Sequence, residues 1–400
     1  MELLKRAVTP FLASRLLVGF LLALPLFFSI QPIPTPADAG TIYHLQPIAP
    51  GSSFGDRLYT LLHSADSTWY LGIAENGYTP LPPEDRSDPV KDYTVGQKNW
   101  AFFPLFPLIE RAGGVIFGSA FRAGLIASYL FLFGSLILLI RLAEISGLSP
   151  AAADRSLWLI CFYPFSYFFS FPLTESLFLF LTLLSFFLIG SNRPIWAGLA
   201  LAFASATRPT GLLLIPGFIV EMYFKKKRSA VDPDAPSWNS IALAASIAPL
   251  GTALYALYLW QHTGSPLAFS LNQQAWGRQA ITFSGLITSL LSPFRAISGP
   301  WDFILLNTAA AYLSLFCAGW AIAKGRYGWA LVILGPLCAS LGTGITQSFG
   351  RFTSISFPVF LILAEVTRRN TVERIVLLIF AALLGALTIG RALYVTSVMC

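Results

Sequence analysis

The chain has 400 residues, 55% of them hydrophobic and only 11% charged, against about 25% charged in a typical soluble domain. That composition excludes an ordinary soluble protein. The net charge of +7 does not argue for nucleic acid, because the basic residues stand scattered at the ends of apolar runs, as in membrane topology. Cys161, Cys317 and Cys338 lie inside apolar segments and Cys400 is terminal. No disulfide framework or zinc spacing results, and His44, His63 and His262 offer no paired metal ligands.

The chain opens with Lys5 and Arg6, an apolar run over 16–30 and the small-residue stretch Ala37-Asp38-Ala39. This imitates a cleaved secretory signal, but in a chain this apolar an uncleaved first span is the better reading. Residues 31–100 then turn polar and hold eight of the nineteen acids against four basic residues. They form a long external loop that begins with a Pro-rich spacer at 32–36, and a loop of this length is usually functional. Within it, 62–78 predicts a helix. At about 100° per residue, Tyr59, Leu62, His63, Trp69, Tyr70 and Ile73 share a face with Asp66, while Arg57, Thr60, Ser64, Ser67, Thr68 and Glu75 lie opposite. A carboxylate on an apolar, aromatic face loses hydration, so it either pairs with an arginine or has a task.

Residues 100–109, with Pro104 and Pro107 in an aromatic cluster, predict an interfacial or short re-entrant helix; the alternative is a proline-capped span over 101–117. Further apolar runs follow at 121–140, 157–171, 173–189, 195–206, 211–224, 241–260, 303–323, 329–346, 352–364 and 375–394. The expected fold class is an all-α polytopic membrane protein of about eleven crossings, one membrane-embedded domain over 1–400, with no visible internal repeat. With a cytoplasmic amino terminus, Arg141, Arg155, Arg193, the block Lys225-Lys226-Lys227-Arg228, Lys324, Arg326, Arg368, Arg369 and Arg374 all fall inside. Asp66, Glu175, Arg208, Gln273, Trp276, Arg278, Arg351 and Arg391 then fall outside. Arg193 and Lys225 share a side, so two short helices must meet near Thr207-Arg208-Pro209-Thr210-Gly211.

Ionisable groups at the membrane edge are costly and therefore functional candidates. Glu175 follows an aromatic turn at 164–172; Thr174 capping the next helix with Glu175 in its first turn explains it as well as substrate binding does. Arg208, in a helix break, and Arg351, between Gly350 and Phe352, are candidate anion ligands. Gln273, Trp276 and Arg278 fit a sugar-facing set, or equally an interfacial tryptophan anchor with a snorkelling arginine. Asp232-Pro233-Asp234 imitates a metal-binding acid pair but lies in a Pro-rich linker beside the lysine block. Gly342-Thr343-Gly344 reads as a helix-packing or kink element. There is no phosphate-binding loop, and no nucleophilic Ser or Cys with a His partner. One external acid and several external arginines at a membrane-edge cavity suit transfer of a group carried on a lipid phosphate. Asp66 would take the acceptor proton and the arginines would hold the departing phosphate.

Several segments together resemble the PIG-V-like mannosyltransferases, which include the enzyme adding the second mannose in GPI-anchor assembly and bacterial relatives. Asp66, Tyr70, Leu71, Ile73, Ala74, Gly77 and Tyr78 fit that family's first motif, with Ala65 where the family usually has Trp. Ala101-Phe102-Phe103-Pro104 with Pro107, Pro172 with Thr174-Glu175-Ser176, Thr207 to Gly211, Gln273 with Trp276 and Arg278, and Gly350-Arg351-Phe352 with Phe357-Pro358 are similar too. The resemblance implies a GT-C architecture and a polyprenyl- or dolichyl-phosphate-mannose donor. It also implies inverting transfer to a glycolipid or glycan acceptor, with Asp66 as base. His63, Trp69, Tyr70, Glu175, Arg208, Gln273, Trp276, Arg278 and Arg351 are the expected substrate-binding residues. No cofactor is expected, and divalent-metal dependence stays open. The compact loops point to a bacterial inner membrane rather than the endoplasmic reticulum. A lipid or solute transporter would also carry intramembrane arginines, but it predicts an inverted repeat and gives no reason for the long acidic loop. A scaffold subunit would tolerate neutralising Asp66.

Overall fold

A computed structural model of the chain describes residues 2–28, 52–81, 93–94, 96–228, 235–276, 278, 281–296, 303–343 and 348–393. The expected spacer at 32–36, the small-residue stretch at 37–39 and the acid pair Asp232 and Asp234 lie outside them. The described residues are helical and irregular, with no strand among them. In chain order the helices are α1 (Glu2–Phe27), α2 (Phe54–Leu62), α3 (Asp66–Asn76), α4 (Leu105–Phe117), α5 (Ala120–Ile145), α6 (Pro150–Phe162), α7 (Glu175–Gly190), α8 (Pro194–Ser205) and α9 (Ile215–Arg228). They continue with α10 (Trp238–Ile247), α11 (Leu250–Thr263), α12 (Phe283–Ala296), α13 (Phe303–Ala323), α14 (Tyr327–Gly342), α15 (Phe349–Ser354), α16 (Phe357–Val366) and α17 (Asn370–Leu393).

Among the described residues five segments are long and apolar enough to cross a membrane: α1, α5, α10 with α11, α13 and α17. Helices α7, α8, α14 and α16 are shorter apolar ones. The apolar runs expected from hydropathy therefore resolve into long spans and broken segments. The run at 157–171 is the end of α6 followed by a tight turn at Ser166–Ser170, and 352–364 is split between α15 and α16. Helix α4, thirteen residues and so about 20 Å long, is too short to cross a hydrocarbon core of about 30 Å. It has the proline-capped start, at Pro104, and the end at Phe117 of the alternative reading, but not the length of a span. Helix α1 is built into the bundle, its Ala7, Val18 and Leu22 buried.

Broken helices free backbone groups that lipid cannot satisfy, so neighbouring side chains must do it. Where α8 stops, Arg208 is extended and Pro209 opens a tight turn through Leu214. Ser205 Oγ donates to Ala248 O (3.1 Å) and Thr252 Oγ1 donates to Ser205 O (2.8 Å), so this break docks on the α10–α11 kink at Pro249. The docking needs Gly251, where a Cβ would stand 2.0 Å from Ala202 O. Gly342 packs closely, its carbonyl oxygen 2.4 Å from where a Gly285 Cβ would lie, and so acts as a helix-packing residue; Gly344 lies outside the described residues.

Ion pairs sort the bundle into two ends. Arg6 with Asp154 (2.6 Å) and Glu144 (3.2 Å), Arg155 with Glu373 (3.4 Å) and Arg326 with Glu365 (3.5 Å) join helix ends at one pole. Lys225 Nζ donates to Gly190 O (3.1 Å) at that same pole. The opposite pole carries α3, the amino terminus of α7, the α8 break, α15 and the carboxyl end of α17. Replacing Gly251 with alanine should cost about 1–3 kcal/mol by forcing α8 and α11 apart. The midpoint of thermal unfolding in detergent would fall; an unchanged midpoint would deny the close approach.

Candidate active site

The predicted continuous helix over 62–78 is broken. Helix α2 ends at Leu62, and α3 begins at Asp66 itself. The hydroxyls of this stretch compete for backbone carbonyls: Ser64 Oγ donates to Leu61 O (2.6 Å), Ser67 Oγ to Leu62 O (2.9 Å) and Thr68 Oγ1 to Ala65 O (2.8 Å). Asp66 therefore does not sit mid-face. It occupies the first turn of a helix, where the backbone dipole favours a carboxylate.

What Asp66 meets is an arginine from the far end of the chain. Arg351 Nη1 donates to Asp66 Oδ2 and Arg351 Nε donates to Glu175 Oε1, which also accepts from Arg208 Nη1. The four side chains form a continuous line of alternating charge. Glu175 is wholly buried, Arg351 is 4% exposed and Arg208 9%, whereas the Asp66 side chain keeps 19% of its surface in the open. Asp66 is thus the accessible end of a buried chain. Thr174 does not cap α7 through its side chain. Its hydroxyl instead accepts from Arg208 Nη1 (3.2 Å) and lies 3.4 Å from the Tyr70 hydroxyl, which burial pushes up to about 12 and keeps protonated.

Aromatic rings carry the guanidinium groups. Arg351 lies 4.9 Å from the ring centre of Phe168, in the tight turn. Arg208 and Arg278 both lie over Phe352, at 5.4 and 5.8 Å. Gly350 makes this possible, since a Cβ there would stand 2.1 Å from Phe165. Burial pushes Arg278 below its ordinary value; Asp66 opposes that shift, and the neighbouring Arg208 and Arg351 add to it. Two cations on one ring beside a third, against two carboxylates, leave an excess positive charge. Arg351 Nη2 and Glu175 Oε2 are both buried without a hydrogen-bond partner, so the pair they belong to is not fully satisfied. Beside Phe352 a small apolar cavity of about 30 Å³ lies between α7, α14 and α15, lined by Phe178, Leu214, Val332, Leu337 and Phe349.

The other expected residues are more scattered. Trp69 stacks on Phe102 (centroids 5.6 Å apart, planes 10° apart). His63 ends α2 and packs on Tyr59 (5.0 Å) and Phe121 (6.3 Å), apart from the charge line. Gln273 lies in a tight turn, its carbonyl accepting from Arg278 N (3.1 Å). Its neighbour Asn272 does the stitching instead, donating to Tyr93 O (2.9 Å) and Gly96 O (3.1 Å). The Trp276 side chain lies outside the described residues. Outside the expected substrate-binding set are Thr174, Phe168, Phe352, and Arg391 with Ser64, whose hydroxyl accepts from Arg391 Nη2. An arginine within an otherwise apolar last span was the available signal for Arg391. Among the described residues no three His, Cys, Asp or Glu side chains converge to hold a metal.

The fold that carries these residues is a known membrane fold. The apo oligosaccharyltransferase of Archaeoglobus fulgidus superposes with a TM-score of 0.50 at 13% identity, over 97% of this chain and 56% of that one. The same enzyme tethered through a disulfide to an acceptor peptide containing the NVT sequon gives 0.47 at 12% identity, over 98% and 55%. The chain spans about half the length of those proteins. At such identity the likeness is one of fold: an all-helical, multi-pass membrane protein of GT-C architecture. No family model and no curated protein matches the sequence.

Two outcomes test the geometry. Glu175→Ala leaves two buried arginines without their shared partner and should cost about 3–5 kcal/mol. Asp66→Asn, at the open end, should cost about 2 kcal/mol or less. Thermal unfolding of both variants in detergent checks the order, and equal losses would contradict the charge line. Burial lowers the His63 pKa, with Glu75 opposing. Below the ordinary value of about 6.5, the unfolded chain therefore holds more protons at this site and acidification costs stability. His63→Phe should reduce the fall in unfolding midpoint on going through this acidic window; an unaltered pH dependence would exclude the histidine as its source.

Proposed function

We propose that this chain is an inverting glycosyltransferase that moves mannose, or a related hexose, from a polyprenyl- or dolichyl-phosphate sugar to a lipid-linked or glycan acceptor. The observation that carries the reading is the charge line ending at an accessible Asp66, with Arg278 close enough to feel its charge. An activated sugar on a lipid phosphate matches both parts: arginines for the phosphate, Asp66 for the acceptor. The acceptor hydroxyl attacks C1 and gives its proton to Asp66. The C1–O bond to phosphate breaks, and its electron pair leaves on the phosphate, where arginines stabilise the charge.

The GT-C fold supports a glycosyltransferase, and the motifs similar to the PIG-V-like enzymes support mannose. In this reading the site faces the external or luminal side, opposite the basic pole, in the manner of the positive-inside rule. A bacterial inner membrane is the setting that the compact loops favour.

The test is incubation of the purified protein with a panel of polyprenyl-phosphate sugars and alkyl glycoside acceptors. Wild type should transfer from the mannosyl donor, with Asp66→Asn slower by about 100-fold or more. Arg208→Ala should weaken donor binding by about tenfold or more. Equal turnover by wild type and Asp66→Asn would remove Asp66 as base, and no transfer from any donor would refute the reading.

A further inference from the structure

Ala65, between α2 and α3, has φ of 57° and ψ of −132°, a backbone conformation that glycine adopts freely and alanine resists. Among the described residues the non-glycine positions with positive φ are Ala65, Asn192 and Ser348. Ala65 directly precedes the helix that begins at Asp66, and Ser348 directly precedes the one that carries Arg351. Strain is thus gathered where the two helices aim the paired residues at each other.

A resisted conformation persists only where its surroundings hold it. On the far side of Ala65, Ser67 Oγ donates to Ser64 O (2.8 Å) and Thr68 Oγ1 donates to Ala65 O (2.8 Å). On the near side the Ser64 hydroxyl donates to Leu61 O and accepts from Arg391 Nη2. Ser64 is 2% exposed and Arg391 3%, and the Arg391 guanidinium stands 5.7 Å from the ring of Phe171. The last helix therefore reaches across the bundle to the joint before Asp66. A charged arginine enclosed in this way, on a hydroxyl of the hinge itself, has little freedom to let the joint relax.

We propose that Arg391 and Ser64 are positioning residues that hold Ala65 in its resisted conformation and thereby direct the Asp66 carboxylate. This rests on Asp66 being the base of the proposed transfer. Neither residue touches the reacting atoms. If the joint relaxed toward helix, α3 would turn about its amino terminus and carry Asp66 away from Arg351.

The test is a cycle of Arg391→Met, Arg391→Lys and Ala65→Gly in the full-length protein, assayed with polyprenyl-phosphate mannose and an alkyl mannoside. Arg391→Met should lower kcat by about tenfold or more with donor KM within about twofold, and Arg391→Lys, which can still donate to Ser64, should recover most of the loss. Ala65→Gly should raise the unfolding midpoint, because glycine accepts the hinge conformation without strain. In that background Arg391→Met should lose no more than about threefold in kcat, a coupling that general damage to the bundle would not produce. An Arg391→Met defect undiminished in the Ala65→Gly background, or an Ala65→Gly midpoint that does not rise, overturns the proposal. Absence of transfer by wild type would count against the glycosyltransferase reading alone. The hinge is then judged by stability, since Arg391→Met must lower the midpoint less in the Ala65→Gly background than in wild type.

Discussion

A carboxylate removed from water inside an apolar bundle survives only if its charge is met, and Glu175 is met twice, by Arg208 and Arg351. That constraint reaches into every irregular feature of this pole. Removing charges from water costs several kcal/mol per ion, repaid only when the geometry is good and the remaining donors are satisfied. Arg208 can reach Glu175 because α8 stops at Ser205 and the chain runs extended through the break. Arg351 can reach it because Gly350 lets α15 approach the ring of Phe165. Arg351 then reaches on to Asp66 through Nη1.

The aromatic turn between α6 and α7 is the floor of the site. Its Phe168 lies under Arg351, and Phe171 lies under Arg391. The turn is itself clamped by Arg15 of α1, a 5% exposed arginine that donates to Ser166 O (2.7 Å), Ser170 Oγ (2.9 Å) and Cys161 O (3.1 Å). Carbonyls freed by the turn thus receive a charged donor, much as hydroxyls serve the α8 break. Non-helical backbone at membrane depth is tolerated where protein groups satisfy it in this way. Helices α1 and α17, the first and last of the chain, therefore both act on the centre through buried arginines.

The site is also electrostatically unbalanced in a useful direction. Two carboxylates face three arginines, and Phe352 holds two of those arginines near one another. Like charges brought together this closely are stabilised by an anion between or beside them. Such an anion is what the proposed lipid-phosphate donor would bring. Preorganised cations of this kind stabilise a leaving phosphate without rearranging during the reaction.

Hydropathy is a local property, so the amino-acid sequence by itself determined that the chain lives in a membrane, roughly where its apolar segments lie and which acids and arginines have no ordinary reason to be there. Asp66, Glu175, Arg208 and Arg351 could each be singled out because a charge in an apolar run is conspicuous alone. Their pairing was not legible: Asp66 and Arg351 are 285 positions apart, and Glu175 and Arg351 are 176 apart. The break before Asp66 escaped the helical periodicity because Ser64, Ser67 and Thr68 turned inward to bond carbonyls, where a helical wheel places them in solvent. Thr174, with the composition of a cap, was drawn away by Arg208. Only the tertiary structure decided these points, because which carbonyl a hydroxyl takes, and which acid an arginine meets, depends on groups that distant segments bring within reach.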